Sequence, residues 1–293
     1  MTSRITRRKF LGISAASACV LAVDGLGWEP YHPKLVTIEP EFPHWPSALD
    51  GFRIVQLSDL HYDPHFGIAP IEAAVRIANA QAADLVALTG DFVTLPTIET
   101  RASSRRAAEL SEPCAALLKQ LRSKYGSFAV MGNHDEFSNP DIVTQGLQTH
   151  GIEVLRNRSI PIEHNGSRFF LAGVNDVLGG EPDLDRTLRG ISSTDAVVLL
   201  AHEPDFADEA AHYPVGLQLS GHSHGGQIRI PFVWPLFLPA LAHKYPTGLN
   251  RVGDLILYTN VGIGTIHIPM RLNCRPEVTV ITLRCGHPPS AKT

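Results

Sequence analysis

Short apolar runs recur along the chain, and each ends where a polar cluster begins. The runs cover residues 53–58, 84–89, 128–131, 196–200 and 216–220. They are nearly continuously apolar, which is typical of strands that are buried on both faces. Helix-like stretches at 70–82 and 114–122 lie between some of them. Strand and helix in alternation predict an α/β protein with a largely parallel sheet core.

The polar clusters carry the candidate chemistry of the chain. They read Asp59-Leu60-His61, Gly90-Asp91, Gly132-Asn133-His134-Asp135, Ala201-His202 and Gly221-His222-Ser223-His224. Because ligand sites of such sheets lie beyond the carboxyl ends of the strands, we expect these side chains to converge on one crevice. The glycines in the clusters would permit the sharp turns that aim the next side chain into it. One histidine near a strand end is usually structural, but several at matched strand ends favour metal binding.

Taken in order, these motifs resemble those of the calcineurin-like metallophosphoesterases, and the resemblance runs from about Gly51 to Arg284. The segments around 225–227, 261–264 and 271–277 are similar to one branch of that family. The branch contains exported bacterial phosphodiesterases and UDP-2,3-diacylglucosamine pyrophosphatases. The resemblance implies a layered α/β/β/α sandwich with two mixed sheets and a metal site at the C-terminal strand ends.

The resemblance also implies a role for each motif residue. The implied metal ligands are Asp59, His61 and His224 for the first ion, Asn133, His202 and His222 for the second, and Asp91 as a bridge. His134 would be the general acid or a phosphate contact, and Asp135 would orient it. Two divalent ions would provide a metal-bound hydroxide that hydrolyses a phosphodiester or pyrophosphate bond. Imidazole and carboxylate ligands without thiolate suit Mn, Fe or Zn.

Other residues near the motifs have less specific expectations. His65 and His267 could line the cleft, although a structural role is the usual one for a single histidine. Asp63 lies in a Tyr-Asp-Pro sequence that favours a turn role. For Arg271, which matches an arginine of the branch, contact with substrate phosphate and a surface salt bridge are both open.

The N-terminus resembles a twin-arginine export signal in Thr6-Arg7-Arg8-Lys9-Phe10-Leu11, followed by an apolar run to Val23. That run suits a signal-peptide core and is shorter than the roughly 20 residues of an ordinary membrane span. We expect a signal peptide or tether at 1–25, a connecting segment at 26–50 and the metallophosphoesterase domain at 51–285. Export would bring the protein to the periplasm or the outer face of the cytoplasmic membrane.

Composition limits the remaining possibilities. A chain of 293 residues without a linker or repeat predicts one large domain after the signal. The net charge of −4, with no basic run after the signal, argues against extended nucleic acid as a partner. The four cysteines show no framework spacing, and after signal removal Cys114, Cys274 and Cys285 could form one pair at most. The polar stretch 97–113 is expected to be a mobile excursion near the cleft.

The apolar segment 230–246 contains prolines that forbid a regular helix. It is either a loop folded back over the core or an exposed patch that touches a membrane or a lipid tail, with Trp234 and Tyr245 at the interface. The substrate is correspondingly open: a lipid-linked sugar nucleotide, a phospholipid or wall polymer, or a soluble phosphodiester. A catalytically inactive binding module of the same fold is the alternative of a different class. The complete ligand set and His134 favour the enzyme.

Overall fold

The structure is a computed structural model in which residues 6–230, 235 and 237–286 are described, without the side chains of residues 11 and 13–18. The strands are β1 (Lys34–Ile38), β2 (Glu41–Phe42), β3 (Arg53–Leu57), β4 (Leu85–Leu88), β5 (Ser127–Ala129), β6 (Ile152–Val154), β7 (Arg158–His164), β8 (Ser167–Gly173), β9 (Val197–Leu200), β10 (Leu217–Ser220), β11 (Gly248–Val252), β12 (Leu255–Thr259), β13 (Glu277–Thr282) and β14 (Arg284–Cys285). The α-helices are α1 (Arg7–Val23), α2 (Ile68–Asn79), α3 (Arg101–Glu109), α4 (Ser111–Leu118), α5 (Asn133–Ser138), α6 (Pro140–Thr149), α7 (Leu184–Thr187) and α8 (Ala207–Ala210).

Two six-stranded mixed sheets form the centre of the molecule. The first has the order β1-β13-β3-β4-β5-β6, and its strands are parallel except at the β13–β3 pair. The second has the order β11-β12-β10-β9-β8-β7, with antiparallel pairs at both edges. β2 and β14 form a small parallel pair beside them.

Neighbouring residues of one strand enter different cores, because side chains alternate across a sheet. Ile54 packs between the two sheets together with Leu200 of the second sheet. Val55 points to the opposite face, where it joins the apolar faces of α2, α4 and α6. A third core lies between the second sheet and the helices α7 and α8. The layers are therefore α/β/β/α, as the sequence predicted.

The predicted elements that flank the polar clusters are confirmed, with ends shifted by a few residues. Most of the stretch 97–113, which was expected to be a mobile excursion, forms α3 and the start of α4, while its mobility stays a prediction. Thr100 caps α3: its Oγ1 accepts a hydrogen bond from Ser103 N at 3.1 Å, and Ser103 Oγ accepts one from Thr100 N at 2.9 Å. Ala107 and Ala108 are buried on the inner side of the helix.

The N-terminal helix α1 continues through one π-helical turn, Asp24–Trp28, and one 3₁₀ turn, Glu29–Tyr31, into β1. Among the described residues, no helix combines the length and the apolar character needed to cross a membrane. The predicted division at residues 25 and 50 stays a prediction. Within the segment 26–50, β1 pairs with β13 and β2 pairs with β14, so that segment contributes strands to the folded body.

Candidate metal centre

The carboxyl ends of five strands bring the predicted ligands together. One group of ligand atoms that lie within 4.8 Å of one another comes from Asp59, His61, Asp91 and His224. A second such group comes from Asp91, His202 and His222. Asp91 belongs to both, as expected for a bridging carboxylate, and all of these side chains are buried. The remaining predicted ligand, Asn133, has a buried Oδ1 atom without a hydrogen-bond partner. Its side chain lines a cavity that Asp91, His222 and His224 also line.

The backbone at most of these ligands is left-handed, a conformation that non-glycine residues rarely adopt. Positive φ angles occur at Asp59 (49°), His61 (41°), Asp91 (57°), His222 (67°) and His224 (47°). Such strained conformations persist only where the surroundings fix them, and they cluster at functional sites. Here the loops hold one another: Asp59 N donates to Gly90 O and His61 N donates to Asp91 O, both at 2.9 Å.

The glycines of the motifs are needed mainly because neighbouring loops approach their Cα atoms closely, and less because the backbone turns there. Gly90 has a φ of +94°, and a Cβ atom there would lie 2.7 Å from Nδ1 of His202. Gly132 lacks a positive φ, but a Cβ atom on it would overlap the Asp91 carboxylate. At Gly221 it would overlap Ser58 and Asp59. The absence of a side chain at these positions lets the ligand loops pack directly on each other.

Three of the four ligand histidines, His61, His202 and His222, are oriented through their second ring nitrogen, the usual arrangement at metal sites. Nδ1 of His202 donates to the Thr89 carbonyl at 2.6 Å, and Nε2 of His222 donates to the Ala240 carbonyl at 2.8 Å. Nδ1 of His61 bonds Thr94 Oγ1 at 3.1 Å. These partners could not be identified from residue types, because two of them are backbone carbonyls.

The electrostatics of the cluster fit a cation. Burial raises the pKa of Asp59 to about 7, with Asp91 adding to the rise and His202 opposing it. Burial also lowers the pKa of His61 and of His222 to about 3, so both rings are neutral at ordinary pH. Buried carboxylates, the neutral imidazoles of His61 and His222 and the unpartnered atom Asn133 Oδ1 belong to a donor set that suits two divalent ions.

His134 and Asp135 have different tasks. Nδ1 of His134 accepts a hydrogen bond from Leu95 N at 2.8 Å, so the proton of the neutral ring is on Nε2. His134 also lines the cavity that the metal ligands share.

The predicted role of Asp135, to orient His134, is wrong. Its carboxylate accepts hydrogen bonds from the backbone N–H groups of Asp91, Phe92, Val93 and Gly132, at 2.8 to 3.2 Å. Both oxygens are occupied in this way. Asp135 therefore fixes the loop that carries the bridging Asp91, and Leu95 N takes the place expected for Asp135 on the imidazole.

Two cavities open beside the ligands. One, of about 420 Å³, joins Asp91, Asn133 and the histidines to an apolar wall of Ile228, Phe237, Pro239, Ile266 and Ile268. The other, of about 350 Å³, reaches His61 and is lined by Tyr31, Tyr62 and Phe66 among others. His267 borders both cavities, which confirms the expectation that it could line the cleft; His65 borders neither.

The apolar segment shows features of both interpretations. Leu238 and Ala242 are buried, and the Ala240 carbonyl holds His222, so part of this loop closes over the site. Phe237 instead remains 65% exposed at the cavity. Tyr245 is partly buried and donates to Asp208 at 2.9 Å, while Trp234 lies outside the described residues.

The structure also tests the expectations for Asp63, for Arg271 and for the cysteines. Asp63 is a turn residue, since its Oδ1 accepts from the backbone N–H groups of His65 and Phe66. Arg271 neither faces the cavity nor makes a surface salt bridge: it is completely buried, and its guanidinium donates to backbone carbonyls. All four cysteines are free thiols.

Comparison with known proteins agrees with this geometry. Residues 52–226 match the family model described as calcineurin-like phosphoesterase. The chain is 34% identical to the uncharacterized metallophosphoesterase YkuE of Bacillus subtilis, over 96% of this chain and 98% of that protein. It is 32% identical to the phosphodiesterase YaeI of Escherichia coli, over 95% of this chain and 99% of that protein. It is 26% identical to the UDP-2,3-diacylglucosamine pyrophosphatase LpxG of Chlamydia trachomatis, over 95% of this chain and 99% of that protein.

The ligand sets after the strand ends, the layered fold and these relatives lead to one conclusion: the chain belongs to the calcineurin-like metallophosphoesterase family and is a hydrolase of phosphoric ester bonds.

Proposed function

We propose that the protein hydrolyses a phosphodiester or pyrophosphate bond of a lipid-linked envelope substrate, outside the cytoplasm. The observation that carries this proposal is the cavity of about 420 Å³, whose lining combines metal ligands with apolar side chains such as Phe237 and Ile268. A phosphoryl group at the ligands would leave an attached substituent against Phe237 and Ile268.

The chain supplies a defined set of groups for the reaction. Asp59, His61 and His224 would hold one ion, Asn133, His202 and His222 the other, and Asp91 would belong to both. Two divalent ions bound in this way activate water and neutralise phosphoryl charge. His134 directs an Nε2 proton, which suits hydrogen bonding to a phosphoryl or leaving-group oxygen. The apolar wall excludes water from the far side of the substrate.

The kind of bond is supported by the relatives. YaeI is named a phosphodiesterase and LpxG a pyrophosphatase of a diacylated sugar nucleotide. In both kinds of substrate, organic groups lie on both sides of the bond that is hydrolysed. A site with cavities on two sides of its ligands is compatible with such a substrate.

The lipid part of the proposal is supported by the exposure of the apolar wall. Phe237 and Ile268 are 65% and 53% exposed, which is unfavourable in water unless something covers them. Covering such side chains with an acyl chain stabilises the complex by about 25 cal/mol per Å² of apolar surface. The same surface would allow peripheral contact with a membrane.

The location outside the cytoplasm rests on the twin-arginine motif at Arg7 and Arg8, which lies at the start of α1. Translocation by that route follows folding, so the buried metal ligands could be filled inside the cell before export. Residues 24–31, directly after α1, already belong to the folded body.

A soluble phosphodiester is the second candidate, and the partly polar lining of the cavity beside Tyr62 and Thr94 favours it. An inactive binding module is disfavoured, because the predicted Asp and His ligands lie in the two groups of ligand atoms and Asn133 lines the adjoining cavity.

The test is a substrate panel with purified, Mn-loaded protein and the double variant Phe237→Ser/Ile268→Ser. For a lipid-linked substrate we expect KM to rise about tenfold for an acylated pyrophosphate and turnover of a small soluble diester to change little. Leu249→Ser, on the edge strand β11 and similarly exposed, is the matched control. Equal losses with both substrates, or no turnover of any acylated substrate by the wild-type protein, would leave the soluble diesterase as the better conclusion.

A further inference from the structure

The largest completely buried side chain of the described residues is the cation Arg271. Its Nε and Nη2 atoms donate to the Gly264 carbonyl at 3.0 and 2.5 Å. Its Nη1 atom donates to the carbonyls of Val261 and Cys274 at 3.0 and 3.1 Å. These acceptors are all neutral carbonyls. A buried guanidinium is costly, and such a residue needs a reason for its charge and its fork of donors.

The carbonyls that Arg271 binds belong to a turn that backs the first group of metal ligands. In this turn Gly264 N donates to the Asp59 carbonyl at 2.7 Å and Ile263 N donates to the Ser58 carbonyl at 3.0 Å. A Cβ atom on Gly262 would lie 2.7 Å from Cβ of Asp59. Asp59 therefore cannot move without moving the turn that Arg271 holds.

Arg271 is itself held by the segment that follows α1. We call residues 24–33 the N-terminal strap. Arg271 N donates to the Gly25 carbonyl at 2.9 Å, and Cys274 N donates to Oε2 of the buried Glu29 at 3.2 Å. Arg275 donates to the His32 carbonyl at 2.8 and 3.0 Å and lies over the ring of Trp28.

A second contact links the same segment to the site. Sγ of Cys274 donates to the carbonyl of the metal ligand His224 at 3.3 Å. The contacts thus run without a break from the strap, through residues 271–274, to Asp59 on one side and His224 on the other.

We propose that Arg271 is a positioning residue for the first metal subsite and that the N-terminal strap is a working part of that subsite, because it seats Arg271. The proposal rests on the metal centre of the proposed function, but not on the identity of the substrate. Its consequence is that the segment next to the export signal takes part in metal binding. Removal of that segment or its displacement from Met270 and Arg271 would weaken the binding of one ion.

The test uses full-length variants and measures bound metal rather than activity. Arg271→Met and Arg271→Lys should bind the first Mn²⁺ about tenfold more weakly, the lower end of the loss for a direct partner of a ligand, because Arg271 acts on Asp59 through the Gly264 turn. Lys should not restore the site, because one ammonium group cannot bind three carbonyls in a fork. The coupled Mn–Mn signal in electron paramagnetic resonance should be lost at Mn concentrations that saturate the wild type. Arg284→Met, which removes a surface ion pair with Glu39, is the control.

The strap is tested by Gly25→Val against Gly27→Val. A Cβ atom at Gly25 would lie 2.7 Å from Cε of Met270 and 3.0 Å from the Arg271 carbonyl, whereas a Cβ atom at Gly27 has nothing within 4 Å. Only Gly25→Val should weaken the binding of the first Mn²⁺ ion. If the Val variant does not fold, Gly25→Ala is compared with Gly27→Ala in the same way.

If Arg271 and the N-terminal strap contributed only to the packing of the fold, the variants would respond differently to Mn²⁺. Added Mn²⁺ should raise the Tm of the wild type more than that of the Arg271 and Gly25 variants. Variants with a lower Tm but the wild-type increase on adding Mn²⁺, and two ions of unchanged affinity, would overturn the proposal. Weaker metal binding in the Arg271 and Gly25 variants but not in the controls, with a wild type that hydrolyses none of the phosphoesters, would instead contradict the proposed function and leave the positioning role intact.

Discussion

The Nε2 atoms of His61 and His224 lie 3.0 Å apart, although the two residues are separated by 163 positions in the sequence. Carboxylate oxygens of Asp91 and Asp59 approach these nitrogens at 3.5 and 3.4 Å. Burial lowers the pKa of both rings, to about 3 for His61, so they meet as neutral groups. Two neutral imidazoles between two carboxylates are arranged for a cation, which accounts for burial that would otherwise be costly.

The first prediction concerns the pH dependence of metal binding. In the metal-free protein the pKa of Asp59 is raised to about 7, chiefly by burial. Although burial opposes it, Asp91 raises the pKa of His202 well above its ordinary value. Protons therefore compete with the ions at these two ligands below neutral pH, and metal affinity should rise as pH increases from about 6 to 8.

His61 and His222 should add nothing to this dependence, because their pKa of about 3 leaves them neutral throughout that range. Calorimetric titration with Mn²⁺ in buffers of different ionisation enthalpy measures both affinity and proton release. An affinity that is flat between pH 6 and 8, without proton release, would contradict the prediction.

The second prediction concerns Asp91, which contributes to both groups of ligand atoms. Asp91→Asn keeps the size of the side chain and its acceptor for His134 N, but it removes the shared charge. We expect the loss of at least one ion per chain and a fall in hydrolysis of about 10²- to 10⁴-fold, since the ions contribute several kcal/mol. Elemental analysis and circular dichroism of the same sample check this. Asp63→Asn, in a turn beside the cavity, should keep both ions.

The third prediction concerns Asp135, whose carboxylate accepts four backbone N–H groups. In Asp135→Asn one oxygen becomes an amide that cannot accept, so two buried N–H groups lose their acceptor. At about 1–3 kcal/mol for each, the free energy of unfolding should fall by about 2–6 kcal/mol. Urea unfolding of the metal-free protein measures this change. Normal stability with a loss confined to activity would return Asp135 to the catalytic role first expected for it.

Much of the fold and of the ligand set follows from local pattern. The runs before Asp59, Asp91, Asn133, His202 and His222 are apolar on both faces, so their strand character and their burial are visible in the sequence. Parallel strands end at a common edge, which fixes where the next side chains meet. The convergence of these side chains was therefore predictable from residue types and from the order of the strands, whereas the role of each as a metal ligand was implied by the resemblance to the family.

The remaining features depend on contacts between distant residues. No sequence pattern near Arg271 predicts its hydrogen bonds to the carbonyls of Gly25 and Gly264, because both acceptors are backbone atoms and Gly25 lies far away in the sequence. The same holds for Asp135, which follows His134 directly but binds the loop at Asp91. Left-handed backbone at Asp59 and His61 was equally hidden, since neither residue type requires it.

The fourth prediction concerns export and the start of the mature chain. Replacing Arg7 and Arg8 with Lys should leave folded, metal-containing protein in the cytoplasm, because the twin-arginine route reads that pair. Fractionation followed by metal analysis of the cytoplasmic pool measures the effect. Unchanged delivery across the membrane would show that the motif is not used.

The same experiment fixes where processing can occur. Gly25 and Glu29 hold residues 271 and 274, so we expect the exported chain to begin at or before Asp24 if it is cleaved. Cleavage after Ala18, in the sequence Ala16-Ser17-Ala18, would satisfy this requirement. Mass spectrometry of the exported protein gives the first residue, and an active, metal-loaded chain that begins beyond Glu29 would contradict the expectation.

The fifth prediction concerns His134, for which proton donation and phosphate positioning were both open. Because Leu95 N donates to Nδ1, a doubly protonated ring would lose that hydrogen bond and place two N–H groups against each other. With Nδ1 as the acceptor, Nε2 is the ring atom that carries the donor N–H group. His134→Ala should lower hydrolysis by about 10²- to 10³-fold, the usual effect of removing one donor to a developing charge.

The leaving group distinguishes the two roles. An alkyl alcohol needs a proton as it departs, whereas nitrophenolate does not, so a general acid would matter far more for an alkyl diester. A positioning donor should matter equally for both, and His134→Gln, which keeps an N–H donor, should recover part of the activity with both substrates. The metal content should remain that of the wild type in each variant. A loss that is at least about tenfold larger for the alkyl diester, without recovery by Gln, would assign proton donation to His134.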